Sequence, residues 1–194
     1  MISALFVETN GCYFNDERID PWDIKRDARS FSGDGPVILH PPCQLWGNLA
    51  FVNYKRWGGE HNKPGNDGGN FKFALDTLRR CGGVLEHPQR SHAFKKYGIK
   101  RPTKGLGWQR DGDIWVTEVW QSAYGHRARK ATWLVYHGEK DPPDLKWVFN
   151  PGTHQVGMPR SGGNNKPSLS SREAAATPYE FKEELVKLAY WSAK

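Results

Sequence analysis

Two short apolar segments, each stopped by proline and reactive side chains, constrain the fold of this chain most strongly. Val37-Ile38-Leu39 leads directly into His40-Pro41-Pro42-Cys43, and Val84-Leu85 leads into Glu86-His87-Pro88. Apolar residues between positions 71 and 81 recur at three- and four-residue spacing, which predicts an amphipathic helix. Strand, helix and strand in this order indicate a parallel βαβ unit. Because ligands bind outside the carboxyl ends of parallel strands, a thiol and a carboxyl are expected to face one pocket.

The rest of the chain supplies further elements for one α/β domain. Strands are predicted for residues 4–7, 113–120 and 132–136, and the turn signal Thr9-Asn10-Gly11 predicts that residues 12–14 return as a hairpin strand. With 194 residues, the chain has the length of a single domain. We therefore predict one Rossmann-like three-layer domain over residues 1–194, with a mostly parallel sheet that is shortened at its N-terminus.

Four segments are predicted to lack regular structure. Residues 19–23 and 95–108 read as loops, and residues 141–167 read as a turn-rich exposed stretch. The segment 46–69 is rich in aromatic, basic and glycine residues, and we expect a partly mobile loop over the site.

Cap signals mark the ends of the two longest predicted helices. Asn70 is expected to cap the middle helix, and Gly82 is expected to end it. Thr177 and Glu180 predict a capping box at the start of a C-terminal helix, with Pro178 at its first position.

The charge and the aromatic content both favour a nucleic-acid partner. The net charge is +7 and the isoelectric point is about 9.3, and basic side chains release counterions when they bind phosphates. Nine Trp, nine Phe and seven Tyr supply flat rings that can stack on bases as well as fill a core. The alternative is a basic protein without a polyanionic partner.

The cysteine count favours a reducing compartment. Cys12, Cys43 and Cys81 make an odd number, and no secretory signal or membrane-length apolar run is recognisable. We therefore expect a cytoplasmic protein with no membrane partner. Cys12 and Cys81 are expected to pack in the interior.

Cys43 is the candidate nucleophile. Two prolines hold its backbone stiffly, and its reactivity depends on how much thiolate the neighbouring cations stabilise. The residues expected to supply that positive field are His40, Arg127, Arg129 and Lys130. The alternative is a free cysteine that only fills space.

Glu86 and a basic segment are the other candidates for a role in catalysis or substrate binding. A carboxyl at the end of an apolar strand is expected to have a raised pKa, so Glu86 could hold a proton and donate it to a ring nitrogen. Its alternative role is a salt bridge.

Residues 121–130 are polar and cationic and lead into an apolar strand. Their arginines could donate hydrogen bonds to a carbonyl or phosphate. The alternative is that the segment is a solvated basic loop.

A metal site is not predicted. His40 and Cys43 have a spacing that metal ligands can use, but no second Cys or His pair stands at zinc-finger spacing. The phosphate-loop and Gly-x-Ser-x-Gly motifs are absent from the sequence as well.

Together these segments resemble the catalytic half of the cytosine-C5 DNA methyltransferases, in particular short phage-type relatives that carry His-Pro-Pro-Cys. Pro41-Pro42-Cys43 is similar to the family's nucleophile loop, and Glu86-His87-Pro88 stands where the family has Glu-Asn-Val. Tyr124-Gly125, Arg129 and the strand from Thr132 resemble the family's Tyr-Gly, basic pair and following strand. The order and approximate spacing agree over residues 37–136.

The resemblance implies roles for individual residues. The implied catalytic residues are Cys43, Glu86 and Arg129. The implied substrate-binding residues are His40, Gln44, Trp46, His87, His126, Arg127 and Lys130. The family's S-adenosylmethionine would be held at Phe6, Gly11 and Asp20, although the glycine-rich motif is degenerate here and the segment between Gly11 and Asp20 is short. The family's large target-recognition region has no counterpart after Val135.

The expected function is therefore modification of a pyrimidine base in DNA. Cys43 would add to C6 of the ring and activate C5 for group transfer or substitution, and the base would be flipped out of the duplex. Two alternatives remain open: a non-catalytic nucleic-acid binder on a decayed methyltransferase-like fold, and an enzyme that modifies free pyrimidine nucleotides.

Overall fold

A seven-stranded sheet organises residues 1–157 and 166–193, which are the residues described by the computed structural model. The strands are β1 (Ile2–Leu5), β2 (Ile19–Trp22), β3 (Val37–Leu39), β4 (Gly83–Pro88), β5 (Gln109–Asp111), β6 (Ile114–Trp120) and β7 (Ala131–His137). The helices are α1 (Asn48–Trp57), α2 (Asn70–Cys81), α3 (His92–Lys96), α4 (Ser171–Ala175) and α5 (Tyr179–Ser192). The strand order is β2-β1-β3-β4-β7-β6-β5.

Most strands of the sheet run in one direction. β1 to β4 are parallel to one another, whereas β7 is antiparallel to both of its neighbours, β4 and β6. β6 therefore runs with β1 to β4, and only β5 and β7 oppose them. The predicted α/β class with a mostly parallel, Rossmann-like sheet is confirmed.

Helices cover both faces of the sheet, as the three-layer prediction requires. Leu39 and Leu85 point to one face and pack in a core with Phe71 of α2. Ile38 and Val84 point to the other face and pack in a second core with Leu185 of α5. The alternation follows from the two-residue period of a strand, and both faces are apolar because both are covered.

The βαβ unit from β3 through α2 to β4 forms as predicted, with one change at its cap. Asn70 is the first helical residue, and the Asp67 carboxylate accepts hydrogen bonds from the backbone N–H of Phe71 at 2.8 Å and of Gly69 at 3.0 Å. Gly83 has a φ of 129°, and a Cβ on it would lie 2.0 Å from the Val37 carbonyl oxygen. Glycine at this position lets β4 start in close contact with β3.

The segment after β1 differs from the predicted hairpin. Residues 12–14 form turns, and residues 19–22, expected in a loop, form the parallel edge strand β2. Pro21 weakens the strand signal in the sequence, but an edge strand tolerates proline because one side of its backbone needs no ladder bond. The chain from residue 6 to residue 18 therefore crosses back over the sheet without a helix.

Two other local predictions are corrected. Residues 46–69 are not simply a loop, because they contain α1 and a 3₁₀ turn at Glu60–Asn62. The C-terminal helix begins at Tyr179 after Pro178, without a side-chain cap. Its predicted capping box is absent because Pro178, and not Thr177, stands at the N-cap position, and the Glu180 carboxylate accepts from Lys146 Nζ at 2.9 Å. A capping box occurs one helix earlier, between Ser170 and Glu173 of α4.

The predicted turn-rich stretch is described only in part. Residues 141–157 contain no helix or strand beyond isolated bridges, whereas residues 158–165 lie outside the described part of the chain. Among the helices of the described residues, none has the length and apolar composition needed to cross a membrane.

Candidate active site

A cleft of about 1710 Å³ opens at the edge of the sheet where β1, β3 and β4 end and the opposing strand β7 begins. Its walls include residues 6–13, 40–44, 88–90, 128–131 and 174–177. Cys43, Glu86 and Arg129 all line it. The edge is the one that the strand-end argument predicts, because ligands of open α/β sheets bind outside the carboxyl ends of parallel strands.

A chain of hydrogen bonds connects the two predicted strand ends inside this cleft. Leu39 pairs with Leu85, so His40 and Glu86 follow in register on adjacent strands. His40 Nδ1 lies 3.0 Å from Glu86 Oε2, and His40 Nε2 lies 2.8 Å from the hydroxyl of Tyr13. Gln121 Nε2 donates to Glu86 Oε1 at 3.4 Å. The carboxyl group is therefore held from both sides.

The ionisation of Glu86 differs from the sequence-based prediction. Burial raises the pKa of Glu86, but the hydrogen bond and charge of His40, together with Lys130 and His87, lower it by more. The pKa of Glu86 therefore lies below its ordinary value, and the group is a carboxylate at neutral pH. The prediction of a raised pKa was wrong because the strand sequence does not show that His40 would contact the acid.

The Cys43 thiol is half-buried and keeps its proton at neutral pH. Burial raises its pKa, the Glu86 charge raises it further, and Lys130 opposes both. Of the four basic residues expected to activate the thiol, Lys130 contributes in this way, whereas Arg127 is engaged in an ion pair with Glu173 at 2.7 Å. Thiolate formation therefore needs proton removal during the reaction.

Lys130 is half-buried on the wall of the cleft. Its Nζ donates to the carbonyl oxygens of Ala175 and Ala176, each at 2.8 Å, and burial lowers its pKa despite the nearby Glu86. These bonds hold the start of β7 against the segment before α5, which forms part of the cleft wall.

Positive charge predominates along the cleft. Among the lining residues that the structure describes, the basic ones are Arg90, Arg129, Lys130, Lys166 and Arg172, and the acidic ones are Glu8 and Glu86. Within residues 1–157 and 166–193, the side chains of Arg90, Arg129 and Arg172 have no carboxylate partner. Arg129 instead lies over the Trp120 ring at 5.0 Å. These guanidinium groups remain available for an anionic ligand.

The strained backbone of the described chain is concentrated at the same place. Its non-glycine residues with positive φ are Phe6, Asn10, Arg90 and Lys130, with φ of 61°, 58°, 67° and 33°. All four line the cleft. Such conformations each cost about 1–3 kcal/mol and cluster at functional sites, so their location supports a functional role for the cleft.

The predicted substrate-binding residues divide into two groups. His40, Gln44 and Lys130 line the cleft. Trp46, His87, His126 and Arg127 do not.

Trp46 and His87 instead belong to the interior beneath the nucleophile loop. Trp46 is buried and donates from Nε1 to Asp67 Oδ2 at 2.9 Å. The ring of His87 is buried against Phe71, at 5.0 Å between ring centroids, and burial lowers its pKa to about 4. These two side chains support the loop from below rather than contact a ligand.

His126 and Arg127 bind neighbouring segments of the protein. His126 is buried, with Nδ1 2.8 Å from the Ala128 carbonyl oxygen and Nε2 3.2 Å from the Glu173 carbonyl oxygen. Arg127 pairs with the Glu173 carboxylate. Both residues therefore hold α4 against the segment before β7.

The residues expected to hold S-adenosylmethionine do not form one site. Phe6 and Gly11 line the cleft, but Asp20 lies outside it and is engaged with Trp22 Nε1 at 2.7 Å and with Arg26 at 2.5 Å. No helix lies between β1 and β2, so the cofactor pocket predicted from the resemblance lacks both its acid and its helix. The residues present do not fit this cofactor.

The sequence patterns assigned no role to three residues of the cleft or its hydrogen-bond network, although Gln121 belongs to the polar segment 121–130. Tyr13 and Gln121 contact the His40–Glu86 pair, and Cys12, predicted to be buried, is exposed and lines the cleft. The position of Cys12 directly after Asn10-Gly11 offered the available signal, since turn residues lie at the surface. Cys81 does pack against the core, as predicted.

Comparisons of the chain with protein-family models, curated proteins and solved structures found no match. Within the described residues, no group of three His, Cys, Asp or Glu side chains is arranged to hold a metal ion.

Proposed function

We propose that this protein modifies a pyrimidine base in DNA, with Cys43 as the nucleophile that adds to C6 of the ring. The observation that carries the proposal is the convergence of Cys43, Glu86 and Arg129 on one cationic cleft. A thiol, a hydrogen-bonded carboxylate and a free guanidinium supply a nucleophile, a partner for the ring's N3 edge and a donor for a ring carbonyl.

The covalent step needs little from outside the cleft. The Cys43 thiol gives up its proton to solvent water in the open cleft, its sulfur forms a bond to C6, and the electron pair of the C5–C6 double bond moves to C5 and the C4 substituent. Arg129 donates hydrogen bonds to the carbonyl at C2. If C5 carries a methylene with a leaving group, that electron pair expels the leaving group, and an amine can then add to the methylene. Elimination of the Cys43 sulfur restores the ring.

The size and charge of the cleft favour a polymer over a free nucleotide. Drug-sized ligands occupy pockets of roughly 300–1,000 Å³. The cleft of about 1710 Å³ exceeds that range and has room for backbone beside a flipped nucleotide. Its unpaired arginines suit phosphates, which dominate DNA affinity.

Helix α1 extends this cationic surface. It begins at Asn48, which lines the cleft, and its apolar side chains Leu49, Phe51, Val52, Tyr54 and Trp57 are exposed. Arg56 lies over the Trp57 ring at 5.2 Å. Aromatic and basic side chains together stack on splayed bases and contact phosphates, so we assign α1 to the DNA-contacting surface.

Covalent trapping tests the nucleophile. Duplex oligonucleotides would carry 2-pyrimidinone or 5-fluorouracil at one position, because both rings are electrophilic at C6. We expect an adduct on a denaturing gel and by intact mass, lost in Cys43→Ala and retained in Cys12→Ala. Cys12 is the matched control, since it is a more exposed thiol in the same cleft. An adduct that survives Cys43→Ala, or no adduct with either ring, refutes the proposal.

Salt-dependent binding, taken together with the trapping result, separates the enzyme from the simple nucleic-acid binder. We expect Arg56→Ala to weaken DNA binding and to reduce the slope of log K against log salt by roughly 1. Arg79→Ala serves as the control, because Arg79 is paired with Asp113 and lies away from the cleft lining. Retained binding without any adduct would favour the binder.

A further inference from the structure

Each polar contact of the Glu86 carboxylate within the described residues is with a group that can donate a hydrogen. Gln121 Nε2 approaches Oε1 at 3.4 Å, and His40 Nδ1 approaches Oε2 at 3.0 Å. If both groups donate to Glu86, its remaining lone pairs can only accept a hydrogen bond from a ligand. The direction of these two hydrogen bonds therefore decides which edge of a pyrimidine Glu86 can bind. The orientation of each donor follows from its other partners.

The neighbouring Thr132 hydroxyl sets the orientation of the Gln121 amide. Thr132 Oγ1 donates its single hydrogen to the Lys130 carbonyl oxygen at 3.1 Å. It can therefore only accept from Gln121, whose Nε2 lies 2.9 Å away. The same amide nitrogen faces Glu86, so Gln121 donates to the carboxylate.

Tyr13 sets the tautomer of His40. Burial raises the pKa of Tyr13, so the phenol keeps its hydrogen and donates it to His40 Nε2 at 2.8 Å. In the neutral ring, His40 then carries its hydrogen on Nδ1 and donates it to Glu86 Oε2, and a protonated ring donates from Nδ1 in the same way. The lowered pKa of Glu86 agrees with this direction. Glu86 thus enters the cleft as an acceptor with no hydrogen to donate.

Resting on the proposed function, we propose that this site selects a pyrimidine of the uracil or thymine type, which carries a hydrogen on N3, and discriminates against cytosine. A base of this type presents an N3–H donor between two carbonyl acceptors. Glu86 accepts from that N–H, and Arg129 and Lys130 line the same cleft as donors. Cytosine presents a lone pair at N3, which an acceptor-only carboxylate repels.

Two matched electrophiles test the selection. Duplexes would carry either 5-fluoro-2′-deoxyuridine or 5-fluoro-2′-deoxycytidine at one mismatched position, and C6 addition would be followed by loss of ring absorbance and by intact mass. We expect the wild-type protein to favour the uracil trap by about tenfold to hundredfold, the range for one well-placed base contact. A third duplex would carry N3-methyl-5-fluorouracil, which lacks the N3–H donor. Addition of Cys43 to this ring should fall below addition to the uracil trap by the same factor, about tenfold to hundredfold. This test needs no variant protein.

Glu86→Gln tests the residue itself. A glutamine amide both donates and accepts, so the preference between the two traps should fall toward unity. Glu8→Gln is the matched control, because Glu8 is an exposed carboxylate on the wall of the same cleft, and the preference should be unchanged.

The failures of the two proposals are distinguishable. A Cys43-dependent adduct that forms equally well on both traps, or better on cytosine, overturns the base selection and leaves the nucleophile intact. Absence of a Cys43-dependent adduct with every trap overturns the proposed function and this inference with it.

Discussion

The central strands of the sheet carry two carboxylates with opposite surroundings. Glu118 on β6 lies beside Trp133 on the α2 face, and Glu86 on β4 lies beside Leu134 on the α5 face. Glu118 accepts four hydrogen bonds, two from Gln89 Nε2 and one each from Trp120 Nε1 and Trp133 Nε1, at 2.9–3.0 Å. Glu86 accepts two and retains an exposed part in the cleft.

The two carboxylates differ in the number of acceptor positions that the protein leaves free. This difference gives Glu118 a structural role and Glu86 a role in the candidate site. A carboxylate has about four acceptor positions, and those of Glu118 are filled by protein donors. Glu86 keeps acceptor capacity directed to the cleft, beside a thiol that the fold does not otherwise use. Replacing Glu118 should therefore affect folding, and replacing Glu86 should affect chemistry.

The largest expected effect is on the stability of Glu118→Ala. The substitution leaves the indole N–H groups of Trp120 and Trp133 buried without an acceptor and removes the partner of the half-buried Gln89 amide, which costs about 3 kcal/mol or more in the free energy of unfolding. Urea denaturation measures this loss. Glu8→Ala, on the exposed cleft wall, should stay within about 0.5 kcal/mol of wild type. A change below about 1 kcal/mol for Glu118→Ala would contradict the comparison.

A smaller effect is expected for Tyr13→Phe, a positioning residue on the Glu86 side. Losing its donation to His40 should cost about 1 kcal/mol, or roughly a fivefold lower rate of covalent addition to the uracil trap. The pH dependence of addition should shift as well, because His40 no longer has a fixed tautomer. A variant that is less stable but keeps the wild-type pH profile and rate would show that Tyr13 has only a packing role.

The smallest expected effect concerns stability at acid pH. Because the folded-state pKa of Glu86 lies below its ordinary 4.5, its interaction with His40 stabilises the fold above that pH. The contribution is lost as the pH falls through the lowered pKa. The difference in unfolding free energy between wild type and Glu86→Gln should therefore shrink below pH 4.5. A difference independent of pH between neutrality and about pH 3 would rule out the carboxylate assignment.

Local sequence patterns were sufficient for the elements that carry the site. The three- and four-residue spacing in α2, the apolar runs of β3 and β4 and the prolines after them predicted a parallel unit with Cys43 and Glu86 at one edge. The structure has that unit, and both residues line its cleft. The pattern was misleading at β2, where Pro21 resembled a loop signal, and at α1, which lies in an aromatic, basic and glycine-rich segment that resembled a loop.

The sequence by itself determined the α/β class and the two strand ends, because each depends on residues that are neighbours in the chain. The placement of Cys43 and Glu86 at one edge followed from the general geometry of parallel strands, whose carboxyl ends meet at the same edge of a sheet. Only the tertiary structure decided the ionisation of Glu86, the burial of Trp46 and the roles of Tyr13 and Gln121. The contacts responsible join residues that lie 27, 46 and 35 positions apart. A carboxyl group's pKa depends on the charges and donors within a few ångströms of it, and folding alone brings those groups together.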